Sequence, residues 1–260
     1  MLDRETVARL DAALVSRAGG YLRNPVRRER VTCGVCATPA AGYEHCYQCK
    51  RHLGQDGLAD AAAFLTYAVS GRQSGYVMRG YKARPPVPEH RTIVALLLLL
   101  ALAKHADCPG ALAGAAVTHW AVVPSLPARP GEHPLRGIAG SLHGIAGQLA
   151  PGCEARLAGA ASVAFPRDVD PAHFSTGARL PGGSHVLLLD DTWAGGGHAQ
   201  SAVLALRKAG ALRVSVLVVA RWIKDDFGDN AKFLRELSGR DYDPGICPWT
   251  GGGCPPAGTA

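Results

Sequence analysis

The sequence predicts an α/β fold with a mainly parallel sheet, and three adjoining stretches carry that expectation. His185–Leu189 is an unbroken apolar run ending in two acids and a glycine-rich turn, a helical stretch Ala199–Ala209 follows, and Val214–Ala220 is a second apolar run. Apolar runs of strand length without polar alternation read as strands covered on both faces. Strand, helix and strand in that order form a βαβ unit, which places the two strands parallel.

The remaining elements follow in chain order. An amphipathic helix is expected over Asp3–Arg17, with Asp3 and Glu5 at its start and Gly19-Gly20 past its end. A cysteine-rich segment, Cys33–Cys49, comes next. Helices are then expected near Asp60–Val69 and over Arg91–Ala106, and a strand over Val117–Val123. A helix around Leu135–Leu149, a short strand Ala161–Phe165, the βαβ unit and a last helix Asn230–Ser238 complete the pattern. This divides the chain into an N-terminal helix and zinc ribbon (1–52), one α/β domain (53–245) and a C-terminal tail (246–260).

Composition bounds the function. The 260 residues are 47% hydrophobic and 19% charged, which excludes wholesale disorder. A net charge of +7 favours anionic partners, whether nucleotides, sugar phosphates or nucleic acid. Much of the excess is local: Arg17, Arg23, Arg27, Arg28, Arg30, Lys50 and Arg51 stand against Glu29 and Glu44. The longest apolar run, Ile93–Ala103, lies between Arg91 and Lys104 and is too short to span a bilayer. With no export signal at the start, the thiols are expected to be reduced and the protein cytoplasmic.

Two motifs carry chemistry. Cys33-Gly-Val-Cys36 and Cys46-Tyr-Gln-Cys49 are C-x2-C pairs nine residues apart, a spacing that lets four thiolates converge on one Zn²⁺. Four sulfurs saturate the ion, so its expected role is structural, with His45 and His52 as adjacent spares. The second motif is Asp190-Asp191-Thr192-Trp193-Ala194-Gly195-Gly196-Gly197-His198, between the strand and the helix. A loop entering a helix at the carboxyl end of a parallel strand offers N–H groups to anions. The glycines allow close backbone approach, and the carboxylates suit sugar hydroxyls or Mg²⁺ beside a pyrophosphate. Neither a dinucleotide G-x-G-x-x-G fingerprint nor a Walker Gly-Lys-Ser/Thr loop fits this spacing.

The stretch Val186-Leu-Leu-Leu-Asp190-Asp191-Thr192-Trp193-Ala194-Gly195-Gly196 resembles the phosphoribosyl-pyrophosphate motif of type I phosphoribosyltransferases. Over most of the chain the order of segments resembles the competence protein F family: a zinc knuckle at Cys33–Cys49, Tyr76–Lys82, Val122-Val123-Pro124-Ser125, and Arg129 through Arg136-Gly137. The resemblance implies that Asp190 and Asp191 contact the ribose hydroxyls and that Ala194–His198 wraps the 5′-phosphate. It further implies that Pro124-Ser125 faces the pyrophosphate under a flap bearing Arg129 and Arg136, and that Mg²⁺ rides on the pyrophosphate. Where the family places threonines this chain has Ala194, Gly195 and His198, leaving backbone amides and His198 to meet the phosphate.

The implied activity is transfer of phosphoribose from phosphoribosyl pyrophosphate to a nucleobase-like acceptor. Alternatives are a non-catalytic accessory of DNA uptake, binding single-stranded DNA through the basic N-terminal module, and a regulator that senses a nucleotide. Lys82 and Arg79 are further anion-binding candidates. His119, His133, His143 and His185 read as packed or exposed residues, and Cys108 and Cys153 as small core residues. Cys247–Cys254 reads as a loose tail with two incidental thiols, or as a lid in which Trp249 stacks on a base or covers the zinc module.

Overall fold

The computed structural model describes residues 2–256. Its centre is a parallel sheet of four strands: β1 (Ala61–Val69), β2 (His119–Val122), β5 (His185–Trp193) and β6 (Arg213–Ile223), in spatial order β1-β6-β5-β2. Register follows from the two apolar runs: Val186 to Asp190 stand opposite Val214 to Val218, and β2 pairs His119–Val122 with Val186–Leu189. A short antiparallel pair, β3 (Leu157–Gly159) and β4 (Phe174–Thr176), lies apart from this sheet.

Helices cover both faces, as a parallel sheet requires. On one face Leu187, Leu189, Leu217 and Val219 pack with α1 (Arg4–Leu14), α3 (Gln73–Gly80), α4 (Pro88–Lys104) and α6 (Pro134–Ser141). On the other, Val186, Leu188, Val214, Val216 and Val218 pack with α7 (Gly197–Lys208) and with Cys33, Cys36 and Cys49. The four-cysteine module, which ends in the short α2 (Tyr47–His52), is thus built into one layer of the core. The chain also contains α5 (Cys108–Ala113) and α8 (Asn230–Ser238). No helix among the described residues is long and apolar enough to cross a membrane.

Several expectations are corrected. Asp60–Val69 is a strand rather than a helix: alanines favour helix locally, but residues 63–69 are all buried and the backbone pairs with Ser215–Ile223 of β6. The helix expected to reach Leu149 stops at Ser141, before a stretch containing Gly144 and Gly147. Ala161–Phe165 is no strand. Among the described residues the expected zinc ribbon holds one antiparallel bridge, Thr32 with Pro39, in place of paired strands.

The C-terminal segment is docked. The Tyr242 amide donates to the Gly19 carbonyl (3.0 Å), and Asn24 and Asp243 exchange two hydrogen bonds of 2.8 Å. Cys247 and Trp249 are buried in the same core as Leu14 and Leu97, which excludes both a loose tail and a base-stacking Trp249. Residues 257–260 of the expected tail lie outside the described residues.

Candidate functional site

β5 carries the acids to the carboxyl end of the sheet. Side chains alternate along a strand, so Asp190 and Asp191 share the strand end but not a face. Asp190 continues the Val186 and Leu188 face and opens into a cleft of about 840 Å³. Its Oδ1 accepts the Asp191 amide (2.8 Å), and burial, with the neighbouring Asp191 charge, pushes its carboxyl up to about 7.

Asp191 continues the Leu187 and Leu189 face. There it accepts from the Tyr81 hydroxyl (2.5 Å) and meets Lys82 Nζ at 2.6 Å and His133 Nε2 at 3.2 Å. Burial opposes its ionisation, but Lys82 and His133 outweigh burial and hold the carboxyl below its ordinary range. One carboxylate is therefore fixed by protein partners and the other is left to the cleft. Tyr81 and His133 escape a sequence reading because each reaches the acid from a distant segment. The only signal is the Tyr-Lys pair ending the family-like Tyr76–Lys82 stretch.

The glycines of the loop answer to specific contacts. Gly196 has φ +89°, and a Cβ on it would sit 2.4 Å from the Trp193 ring, which folds beneath the loop. A Cβ on Gly197, the first residue of α7, would sit 2.0 Å from the Arg167 carbonyl oxygen. Ala194 through His198 line the cleft with Asp190. Burial and then the nearby His173 lower the His198 pKa, while a hydrogen bond to the Pro166 carbonyl opposes them. The His198 ring is thus partly engaged within the protein, and the loop amides are the donors that remain.

Pro124 and Ser125 follow β2, the neighbour of β5, so they stand at the same sheet edge. Pro124 borders a smaller depression of about 220 Å³ with His133, Arg136 and Glu154. The two predicted flap arginines part company. Arg136 is clamped by Glu154 (2.6 and 2.9 Å) and by Glu132, so its charge is spent within the protein. Arg129 is exposed and makes no ion pair with another described residue. Of the other basic candidates, Lys82 reaches Asp191, while Arg79 lies over the Trp222 ring at 5.4 Å.

The cleft's opposite wall is the four-cysteine module: Thr38–Ala41, Tyr43, His45, Cys46 and Tyr47 face Asp190 and the glycine loop across it. Trp222, near the end of β6, and Lys224 and Phe227 beyond it close a third side. The ligand atoms of Cys33, Cys36, Cys46 and Cys49 lie within 4.8 Å of one another, and Cys36 Sγ stands 3.7 Å from Cys46 Sγ. Tetrahedral Zn–S bonds of about 2.3 Å set sulfurs about 3.8 Å apart, so the cluster can hold a metal such as zinc.

The surroundings fit that charge. Four thiolates around a divalent ion leave two net negative charges. Two basic side chains lie beside them with no carboxylate partner among the described residues. Arg27 is in the field of Cys36 and Cys33, and Arg221 donates to the Cys36 carbonyl (3.1 Å). Arg221 also donates to the Trp193 carbonyl (2.9 Å), joining the cysteine knuckle to the glycine loop.

A second group, His105, Cys108, Cys247 and Cys254, likewise has its ligand atoms within 4.8 Å of one another. Cys108 is buried, and the tail thiols Cys247 and Cys254 lie beside it rather than apart from the core. The pattern H-x2-C with C-x6-C, its halves 139 residues apart, gave no usual metal spacing to read. Comparison with models of known protein families and with curated proteins finds no match to this chain.

Proposed function

We propose that the chain binds phosphoribosyl pyrophosphate in the large cleft and transfers its phosphoribose to a nitrogen nucleophile. The observation that carries this reading is the meeting of Asp190 and the Ala194–His198 loop at the carboxyl end of β5, facing one open cleft. Asp190 would accept from ribose hydroxyls, and the loop amides would meet the 5′-phosphate. Mg²⁺, a hard cation, would supply charge neutralisation for the diphosphate. The module's zinc would be structural, holding the cleft's far wall.

In the reaction the acceptor nitrogen forms a bond to C1 while the C1–O bond breaks, its electron pair leaving with diphosphate, and the nitrogen's proton passes to solvent. The protein's part is positioning and electrostatics. Arg129 is the flap arginine whose charge stays available, since Arg136 is held by Glu154 and Glu132. Trp222 and Phe227 line the side of the cleft where an aromatic acceptor would lie. The test is isothermal titration with Mg²⁺ and phosphoribosyl pyrophosphate: saturable binding is expected, abolished by Asp190→Asn. Absence of heat at millimolar ligand would sink the reading.

A second reading draws on a different observation. Tyr43 and Tyr47 are more than two-thirds exposed at the cleft's rim, and Phe227 stands across from them, equally exposed. Exposed aromatic rings beside Lys50 and Arg51 suit unpaired bases and their phosphates, as in a single-stranded DNA accessory.

A further inference from the structure

The second cysteine–histidine group lies away from the cleft, where the C-terminal segment meets the corner between α4 and α5. His105 caps the end of α4 and Cys108 begins α5, so two ligands come from one rigid turn. The other two come from a tight loop. The Cys247 amide donates to the Gly252 carbonyl (2.9 Å) and the Gly251 amide to the Cys247 carbonyl (2.8 Å), which folds the chain back and returns Cys254 beside Cys247. Gly251 has φ +78° and packs against Arg27, where a Cβ would sit 3.1 Å from that side chain. The backbone thus places all four donors without help from regular secondary structure in the tail.

We propose that His105, Cys108, Cys247 and Cys254 form a second, structural zinc site that fastens the C-terminal segment to the α4–α5 corner. The spacing is that of a coordination shell. Cys108 Sγ and Cys247 Sγ are 3.8 Å apart, the sulfur–sulfur edge of a zinc tetrahedron being about 3.8 Å. His105 Nδ1 lies 3.3 Å from Cys254 Sγ and 4.0 Å from Cys108 Sγ, bracketing the nitrogen–sulfur edge of about 3.5 Å. A disulfide needs sulfurs about 2.05 Å apart, far closer than Cys108 and Cys247. Three sulfurs and one imidazole nitrogen select zinc over hard cations, and four protein ligands leave no open position for catalysis.

Charge points the same way. Three thiolates, a neutral imidazole and Zn²⁺ carry one net negative charge, and Arg27 lies in the field of Cys247 as well as of Cys33 and Cys36. The consequence is mechanical. Residues 239–256, after α8, form no helix or strand, yet Tyr242, Cys247 and Trp249 complete the core around Leu14, Leu22 and Leu97. A metal joining Cys108 to Cys247 closes a loop of more than a hundred residues, constraining the unfolded chain and holding that cover in place.

The test is metal content by plasma mass spectrometry on the full chain, purified under reducing conditions without chelator. Two zinc ions per chain are expected, falling to one in Cys247→Ser/Cys254→Ser and to one in Cys46→Ser/Cys49→Ser. Cobalt loading of the unaltered chain should give superposed spectra of a four-sulfur and a three-sulfur, one-nitrogen site, a readout that needs no variant to fold. Hydrogen exchange over 240–256 should quicken several-fold in the first variant. One zinc per chain in the unaltered protein, lost with Cys46→Ser/Cys49→Ser, would overturn the proposal. So would recovery of a Cys108–Cys247 disulfide after thiol alkylation.

Discussion

Replacing Asp190 by asparagine should stabilise the ligand-free protein while destroying its proposed function. The carboxyl rises from 3.8 to about 7 because burial, and then the Asp191 charge, oppose its ionisation. A group whose folded pKa is raised contributes stability that is fully present below its unfolded pKa and lost as pH climbs to the folded value. The window is therefore pH 3.8 to about 7. Three pK units at about 1.4 kcal/mol each set a ceiling on the order of 4 kcal/mol. The two acids share one electrostatic site, so about 1–3 kcal/mol is the expected gain at pH 8.

Asparagine keeps the oxygen that accepts the Asp191 amide, so packing and hydrogen bonding survive. At this chain length the gain corresponds to a rise of about 2–10 °C in melting temperature. Calorimetric melts of both proteins at pH 4, 5, 6, 7 and 8 should show the gap opening from near zero at pH 4 and levelling off above pH 7. A variant no more stable than the parent at pH 8, or a gap that ignores pH, would refute the electrostatic account. Such a gain, coupled to loss of phosphoribosyl pyrophosphate binding, is what a strained ligand site predicts.

The partner acid predicts the opposite behaviour. Lys82→Met leaves the buried Asp191 with Tyr81 and His133 alone and should cost about 1–3 kcal/mol at pH 7, discounted because Lys82 is itself 38% exposed. The loss should shrink as pH falls below the unfolded value of 3.8 and vanish only once pH drops through the lowered folded value, where Asp191 is protonated; pH-dependent melts check this, and an unchanged stability at pH 7 would count against the pairing. For the nucleic-acid reading, Tyr43→Ala/Tyr47→Ala should weaken oligothymidylate binding about tenfold or more, measured by fluorescence anisotropy, with stacking lost at about 1–3 kcal/mol per base. Lys50→Glu/Arg51→Glu should flatten its salt dependence, and no binding by the unaltered chain at low salt would close that reading.

What was legible in the sequence followed from strong local constraint. β5, α7 and β6 announced themselves because strands covered on both faces must be apolar throughout, and the cysteine knuckles because a tetrahedral ion fixes short spacings. β1 obeys the same burial rule, yet its Ala61-Ala62-Ala63 start reads as helix until β6 is there to pair with it. The environment of the acids was hidden for another reason. Whether Asp190 or Asp191 is free depends on strand orientation, and their neighbours Tyr81 and His133 arrive from α3 and the start of α6 through tertiary packing alone. His105, Cys108, Cys247 and Cys254 needed both a helix corner and a folded tail before their proximity existed.

Arg221 explains why the four-cysteine module belongs to the cleft rather than beside it. In β6 it stands opposite Tyr67 on one side and Trp193 on the other, at the centre of the sheet's carboxyl edge. From there its guanidinium grips the Cys36 carbonyl and the Trp193 carbonyl, while the Tyr67 hydroxyl donates to the Ala37 carbonyl at 2.6 Å. A buried cation satisfied mainly by carbonyl dipoles is costly unless an anion lies near, and a metal-loaded cysteine cluster supplies one. Loading the cluster would thus stabilise Arg221 in the position that holds Trp193, and Trp193 is the ring on which Gly196 rests. Arg221 therefore ties the cysteine module to the glycine loop through a single side chain, so the module is a buttress of the cleft as well as a wall.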